Sequence, residues 1–108
     1  MSKFTQRLSR WAEENLAAIA EQTLEDWGER QVVKYRDLLK QGFAKITANP
    51  LTSGSKDRDE IFPRCRSFHV GRHVILYRIG GNVVEVARVL HDSMDLDRHI
   101  PPEFQDIR

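Results

Sequence analysis

Four histidines and one cysteine are the side chains of this sequence that could form a metal site. The histidines are His69, His73, His91 and His99. None of them has His-x-x-x-His or His-Glu-x-x-His spacing, which would place two imidazoles on one helix face. A structural zinc site needs several thiolate or imidazole ligands, and Cys65 is a lone cysteine. We therefore predict no metal site and no cofactor, with the histidines hydrogen-bonded or at the surface.

Nucleophilic catalysis has no support in the sequence. It contains neither a Gly-x-Ser-x-Gly motif nor a phosphate-binding or dinucleotide-binding glycine pattern. Cys65 lies between two arginines, an arrangement that activates a thiol only when the thiol is exposed. A lone cysteine without a nearby base is usually a small buried residue, and we predict that role. No catalytic residue is assigned.

Cleavage of RNA through its 2′-hydroxyl is the enzymatic chemistry that the remaining side chains could support. It needs a base, an acid and cations that stabilise the pentavalent phosphate. The candidates are His91, Arg66, Arg72 and Arg88. Each also has a structural explanation: Arg88 could pair across a sheet, Arg72 could be a solvated turn residue, and His91 could hydrogen-bond the following turn. We favour the structural explanations, because charges on a small sheet are normally solvated or paired.

Length and composition indicate a globular domain. The chain has 108 residues, 40% of them hydrophobic, and a formal net charge of +1, so we predict one domain over residues 1–108. The charge balance gives no general attraction to nucleic acid. No apolar segment approaches the roughly 20 residues of a membrane span, and residues 1–14 do not resemble a signal peptide. We expect a cytoplasmic protein without membrane contact, and the single cysteine fits that compartment.

Two consecutive helices are predicted to form an antiparallel hairpin. Ser9 can cap the first helix, and Gly28 suits the left-handed position that ends it. The apolar stripe of the first helix contains Ala12, Leu16, Ile19, Thr23 and Trp27. The stripe of the second helix contains Val32, Tyr35, Leu39, Gly42, Phe43 and Ile46. Asn49-Pro50 stops the second helix, and Gly42 is expected to permit close approach of the two helices.

The rest of the sequence predicts a sheet. Residues 3–8 alternate as a short strand, residues 50–63 form a polar loop, and three runs beginning at Arg66, His73 and Val83 form an antiparallel meander. A two-residue turn at Gly81-Asn82 sets the register. The resulting pairs are Arg78 with Glu85, Tyr77 with Val86, Ile75 with Arg88, and Val74 with Val89. The predicted fold class is α+β: an N-terminal strand, an antiparallel helical hairpin and a three-stranded antiparallel meander with one face covered.

Several segments carry a more specific pattern. They are Asp-Trp-Gly-Glu-Arg-Gln at 26–31, Asn-Pro at 49–50, Arg-Ser-Phe-His-Val-Gly-Arg-His-Val-Ile-Leu-Tyr at 66–77, and Arg-Val-Leu-His-Asp-Ser-Met-Asp at 88–95, followed by Arg98-His99. In this order and spacing, over about residues 8–100, they resemble the ParE branch of the RelE/ParE toxins. These toxins belong to bacterial type II toxin–antitoxin pairs.

The resemblance implies a strand–helix–helix–three-strand fold and a role in growth inhibition and plasmid stabilisation. It implies a ParD-like antitoxin, with a DNA-binding ribbon-helix-helix part and a tail that wraps the toxin, so that DNA is reached only through the antitoxin. ParE-type toxins poison DNA gyrase, and that target is implied here. RelE-type relatives instead cleave messenger RNA on the ribosome, and this ribosome-dependent endoribonuclease activity is the alternative.

The choice between the two branches rests on a few positions. RelE-like ribonucleases have an arginine in the meander where this sequence has Val74, and a further arginine and a tyrosine after the last strand. Here that last segment is Asp-Ser-Met-Asp-Leu at 92–96. Loss of these cations would remove the main electrostatic stabilisation of phosphate cleavage, and the acidic residues would repel RNA. We therefore favour a toxin that is not an enzyme.

Binding of a target or an antitoxin would involve exposed side chains. The candidates are Trp11, Arg66, Arg72, Arg88, His91 and Arg98. Trp11 lies one position off the helix stripe and is predicted to face a partner, whereas core packing is predicted for Trp27 and Tyr35. The antitoxin tail is expected to bind apolar surface on the hairpin and on the exposed face of the sheet, as an amphipathic helix and an extended segment.

Overall fold

The computed structural model describes residues 3–105 and contains two helices and one sheet. The elements in chain order are β1 (Thr5–Leu8), α1 (Arg10–Trp27), α2 (Glu29–Ala48), β2 (Lys56–Asp57), β3 (Arg66–Val70), β4 (His73–Gly80) and β5 (Val83–His91). Two short 3₁₀ turns follow β5, at Leu96–Arg98 and Pro102–Phe104. The predicted α+β order is confirmed. Neither helix has the length and apolar character that a membrane span requires within these residues.

The two helices begin and end where their caps predict. The Ser9 hydroxyl accepts the Ala12 amide at 3.0 Å, which satisfies one of the free N–H groups at the start of α1. The same hydroxyl donates to the carbonyl oxygen of Ala87 at 2.7 Å and so fixes α1 to β5. Gly28 has φ of 88° and joins the helices alone, a conformation that favours glycine.

The sheet has five strands, in the order β1-β5-β4-β3-β2. The N-terminal strand pairs parallel with β5, Thr5 opposite Val83, so the chain between these two neighbours runs through both helices and the strands β2 to β4. One strand was not predicted: β2 lies inside the supposed loop 50–63 and pairs with β3 through Lys56 and Asp57. Two residues are too few for alternation to reveal a strand.

The strand pairing of the last hairpin agrees with the prediction near the turn and differs from it farther away. Arg78 faces Glu85 and Tyr77 faces Val86, and the Gly81-Asn82 turn is present, with positive φ at Gly81 only. Beyond this point the prediction is wrong by one residue. Ile75 pairs with Val89 and Val74 pairs with Leu90, because a β-bulge between Leu76 and Tyr77 leaves one extra residue on β5.

Hydrophobic side chains cover both faces of the sheet. The helical face includes Ile75, Tyr77, Val84, Val86 and Val89 together with residues of both helices. The second face contains Phe62, Cys65, Val74, Leu76, Ala87, Leu90, Ile100 and Phe104. The expectation of an exposed sheet face is therefore wrong, because the loop before β3 and the segment after β5 fold over it.

Gly42 permits a close approach, but to the sheet rather than to the other helix. A Cβ atom at this position would lie 2.5 Å from Cγ2 of Val70 on β3. Gly42 is itself buried. The missing side chain therefore sets how closely α2 packs on β3, which corrects the expectation of close contact between the helices.

Candidate functional site

An open apolar groove of about 750 Å³ lies between α1, α2 and β1. Its apolar lining consists of Leu8, Leu16, Ala17, Ile19, Ala20, Val32, Tyr35, Leu39, Phe43 and Ala44. These are largely the stripe residues predicted as core. Leu16, Ile19, Tyr35 and Phe43 pack on the core but remain only partly buried. The two helices therefore present more apolar surface than the sheet covers.

The polar side chains of the groove are occupied with local hydrogen bonds. Gln6 Nε2 donates to Thr47 Oγ1 at 2.8 Å, and the Thr47 hydroxyl donates to the Phe43 carbonyl oxygen at 2.8 Å. The Thr23 hydroxyl donates to the Ile19 carbonyl oxygen at 2.7 Å. The mostly apolar lining makes the groove suited to binding an apolar surface.

Two cations of α2 stand on the rim of the groove. Arg36 and Lys40 line it and are exposed. Neither makes an ion pair with any of residues 3–105. The rim is therefore positively charged, which favours an apolar ligand that also carries carboxylates.

Tyr35 connects the groove to a group of histidines at the ends of β4 and β5. Its hydroxyl accepts the Arg72 backbone N–H at 3.0 Å and lies 2.5 Å from Nδ1 of His73. The rings of His73 and His91 meet edge to face, with centroids 5.4 Å apart. Burial lowers the pKa of His73, and the neighbouring His91 acts in the same direction. Both effects disfavour the protonated form of the His73 ring.

His91 binds the turn that follows it, as its structural explanation predicts. Its Nδ1 lies 2.7 Å from the Ser93 hydroxyl and accepts the Ser93 N–H at 3.1 Å. Next to it, His69 Nε2 lies 2.9 Å from Oδ2 of Asp92, and this hydrogen bond lowers the pKa of Asp92. Across residues 3–105 no three His, Cys, Asp or Glu side chains form a group that could hold a metal ion. Cys65 is buried, as predicted, and this burial raises the pKa of its thiol to about 12.

Arg88 holds three parts of the fold together. Its Nε donates to Oδ1 of Asn15 at 2.8 Å, and its Nη1 donates to the His99 carbonyl oxygen at 3.2 Å. The same Asn15 oxygen accepts the Val89 backbone N–H at 3.1 Å. The partner of Arg88 is thus a helix amide and a carbonyl, not the acidic residue across the sheet that was considered.

Arg66 fixes the loop between α2 and β3. Its Nε donates to the Ser55 hydroxyl at 2.8 Å, and its Nη2 donates to the Ser55 carbonyl oxygen at 3.3 Å. The Ser55 hydroxyl also lies 2.5 Å from the hydroxyl of Tyr77, which donates to the Pro50 carbonyl oxygen at 2.6 Å. Two donors of the Arg66 guanidinium are thus engaged within the fold, at the position where β3 faces Tyr77.

The other two candidate arginines are exposed. Arg98 makes an ion pair with Asp95 at 3.1 Å, and both side chains are well exposed. Arg72 lies at the β3–β4 turn, and within residues 3–105 its guanidinium has no hydrogen-bond or ion-pair partner. Among residues 3–105, the four candidate arginines therefore share no hydrogen-bond or ion-pair partner.

The two tryptophans differ from expectation. Trp27 is 67% exposed, so its predicted core packing is wrong. Trp11 is half-buried, with the guanidinium of Arg10 4.6 Å from its ring centroid. Its Nε1 is buried and has no hydrogen-bond partner among residues 3–105. The more exposed indole is therefore at the end of α1, where the sheet no longer covers the helix.

Sequence reasoning missed Asn15 and Ser55, which position Arg88 and Arg66. Asn15 could have been noticed, because asparagine disfavours helix interiors unless its side chain has a tertiary partner. Ser55 gave no signal, because a serine in a polar loop is common.

Comparison with known proteins agrees with this architecture. A family model described as the ParE toxin of the type II toxin-antitoxin system, parDE, matches residues 7–96. Toxin ParE1 of Mycobacterium tuberculosis is 35% identical over 94 residues, which is 86% of this chain and 94% of that toxin. Toxin ParE of Escherichia coli is 36% identical over 91 residues, 82% of this chain and 85% of that toxin.

Two solved structures share the fold. A chain of the chromosomal ParDE toxin–antitoxin system from P. aeruginosa superimposes with a TM-score of 0.67 at 15% identity, covering 82% of this chain and 96% of that one. A chain of the RelBE2 toxin–antitoxin complex from Mycobacterium tuberculosis gives a TM-score of 0.57 at 22% identity, with the same coverage. At these identities the likeness shows the fold alone.

Proposed function

This chain belongs to the ParE toxin family of type II toxin–antitoxin systems, and on that premise we propose that it arrests growth by inhibiting DNA gyrase and is neutralised by a ParD-like antitoxin. The proposal places both events in the cytoplasm. DNA would be contacted only through the ribbon-helix-helix part of the antitoxin. The open groove between α1 and α2 is the observation that carries the antitoxin assignment.

The groove fits one face of an amphipathic helix. Its floor contains Leu16, Ile19, Leu39 and Phe43, and the side chains of Gln6, Thr23 and Thr47 already make local hydrogen bonds. Burial of an apolar side chain stabilises by about 1.5–3 kcal/mol, whereas ordering a disordered tail costs about 2–5 kcal/mol. A tail helix that buries four such side chains therefore gains more free energy than its ordering costs.

The rim adds a preference for the sequence of that helix. Arg36 and Lys40 are exposed cations beside an apolar floor. Carboxylates flanking the apolar face of the antitoxin helix would meet them in the complex. Such rim charges increase the association rate and fix the orientation of the helix more than they raise affinity.

Inhibition of gyrase, rather than RNA cleavage, is supported by the arginines. Arg66 and Arg88 are committed to hydrogen bonds that hold the fold. Arg72 and Arg98 are exposed, Arg72 at the β3–β4 turn and Arg98 in an ion pair with Asp95. A cleavage site needs several donors aimed at one phosphate, and these residues do not supply one. Arg72 and Arg98 remain the candidates for contact with the target, together with Trp11 and His91 at lower exposure.

The test is a supercoiling assay with purified gyrase, relaxed plasmid and the purified chain. We expect loss of supercoiling that is restored by the protein encoded next to this gene. Messenger RNA on translating ribosomes should stay intact under the same conditions. Cleaved transcripts with unchanged supercoiling would instead establish the ribonuclease alternative.

A further inference from the structure

The tip of the helical hairpin exposes an apolar surface that the groove does not include. Trp27 is 67% exposed, Leu24 is 48% exposed and Val33 is 47% exposed. We call these three residues the tip surface. They come from the last turn of α1 and the first turns of α2, on either side of Gly28. Large side chains exposed together in this way are characteristic of a binding surface.

A recess of about 450 Å³ lies beside these side chains. Leu24 and Val33 line it, together with Ala20 and Val32, which also line the groove. Glu21 and Glu29 form its polar edge. Two of the three tip residues, Leu24 and Val33, therefore line a shallow apolar recess, and Trp27 lies outside its lining.

The charge around the tip is opposite to that of the groove rim. Residues 21–30 contain four carboxylates and one arginine, and so have a net charge of −3. Asp26 accepts a hydrogen bond from Gln22 at 2.9 Å. Among residues 3–105, Glu21, Glu25 and Glu29 have no ion-pair partner. The tip thus has three unpaired carboxylates near its apolar side chains, with Arg30 and Lys34 as the nearby cations in the sequence.

This combination selects the kind of molecule that can cover the tip. Nucleic acid and anionic lipid would be repelled, because both carry dense negative charge. A symmetric contact with a second copy of this chain would bring the same carboxylates together, and like charges across an interface oppose association. A carboxylate-bearing antitoxin helix suits the cationic groove instead. Of these classes of molecule, a protein with a basic surface is the one whose charge suits the tip surface.

We propose that the tip surface, Leu24, Trp27 and Val33, is where this toxin binds a basic surface of its protein target, with Trp27 inserted into an apolar pocket there. The proposal rests on the proposed function, since it assigns the contact through which the toxin would inhibit. A tryptophan buried at the centre of an interface contributes far more affinity than its neighbours. The surrounding carboxylates would make inhibition sensitive to salt.

Replacement of the indole provides the first test. Trp27→Ala should raise the toxin concentration for half-inhibition of supercoiling at least tenfold, while affinity for the protein encoded next to this gene changes less than twofold. Leu51→Ala is the matched control, because Leu51 is 63% exposed and lies in the loop after α2; it should leave both values unchanged. Both substitutions shorten side chains that are mostly exposed, and a thermal melt verifies the fold.

Reversal of charge provides the second test. Glu21→Lys with Glu25→Lys should weaken inhibition to a similar extent and remove its dependence on salt. The substitutions lie in the second half of α1, where cations suit the helix dipole, so loss of folding is not expected. Unchanged inhibition by both this variant and Trp27→Ala would overturn the proposal.

Other results identify a different occupant or a different target. If Trp27→Ala loses antitoxin binding but still inhibits, the tip binds the antitoxin and the proposal is overturned. If the wild-type protein is a dimer and Trp27→Ala dissociates it, the tip is a dimer contact and the proposal is likewise overturned. If the wild-type protein leaves supercoiling unchanged but arrests growth, the gyrase assignment fails. The role of the tip surface is then tested by measuring growth arrest with Trp27→Ala. In that assay, full toxicity of Trp27→Ala overturns the proposal and loss of toxicity supports it.

Discussion

At the scale of single residues, the side chains that suggested chemistry mainly hold the fold together. The Arg88 guanidinium donates hydrogen bonds to Asn15 and His99, and the Arg66 guanidinium donates hydrogen bonds to Ser55. These guanidinium groups are partly buried, so each needs acceptors to offset the loss of water. Each guanidinium uses its Nε and one Nη group in these hydrogen bonds. The same residue types would act in catalysis only if they pointed into one open pocket.

His73 predicts a dependence of stability on pH. It faces Tyr35, His91, His69 and Asp92, and burial together with its histidine neighbours lowers its pKa in the folded state. Below a pH of about 6.5, the unfolded chain binds this proton more readily than the folded one. The free energy of unfolding should therefore fall as the pH drops from 7.5 to 5.5, and level off below the folded pKa. Urea unfolding across this range measures it.

A His73→Asn variant separates this effect from the other titrating groups. The asparagine oxygen can still accept the Tyr35 hydroxyl proton, but it does not titrate in this range. Its unfolding free energy should vary less between pH 7.5 and 5.5 than that of the wild type. Carboxylates ordinarily titrate lower, so they contribute little there. An equal slope in the two proteins would show that His73 is not the group responsible.

At the scale of elements, the packing of α2 on β3 depends on the absence of a side chain. A glycine such as Gly42 destabilises an isolated helix by about 1 kcal/mol relative to alanine. It is retained because a Cβ atom would lie 2.5 Å from a methyl group of Val70, which is buried and stiff at χ1. Helix propensity and tertiary packing therefore favour different residues here, and packing prevails.

Gly42→Ala should be destabilising for this reason. We expect a loss of about 1–3 kcal/mol in the free energy of unfolding, the usual cost of overpacking a core. In a Val70→Ala background the clashing methyl groups are absent. Gly42→Ala should therefore reduce the free energy of unfolding less in that background than in the wild type. Urea unfolding of the three variants completes the cycle. Equal effects of Gly42→Ala on both backgrounds would contradict the proposed contact.

At the scale of the whole molecule, charge is divided between two surfaces although the chain is almost neutral. The net charge is +1, yet the groove rim carries Arg36 and Lys40 and the hairpin tip carries unpaired carboxylates. Two partners of opposite character could then bind different surfaces of one small domain. An antitoxin bound in the groove would leave the tip surface itself uncovered. To neutralise the toxin, the antitoxin would then have to block access of the target to the tip by its bulk, or cover the tip with a further segment.

The groove assignment makes a prediction at this scale. Arg36→Glu with Lys40→Glu should weaken binding of the neighbouring gene product roughly tenfold, since each exposed pair contributes about 0.2–1 kcal/mol and reversal replaces attraction by repulsion. Lys45→Glu, an exposed change on the same helix outside the groove lining, serves as the control. Isothermal titration at low and high salt gives the affinities. Similar losses in the two variants would indicate a general charge effect instead of a defined rim.

The sequence by itself determined the order of elements, both helices with their caps, the meander and the family, because these follow from local periodicity, turn residues and motif order. It also determined the pairs nearest the Gly81-Asn82 turn, whose geometry is local. The bulge on β5, the strand at Lys56–Asp57 and the covering of the second sheet face were decided by tertiary structure. The same holds for the placement of Trp27, which continues the apolar stripe of α1 but extends beyond the sheet. Periodicity states which side of a helix is apolar; how much of that side is buried depends on where the opposing surface ends.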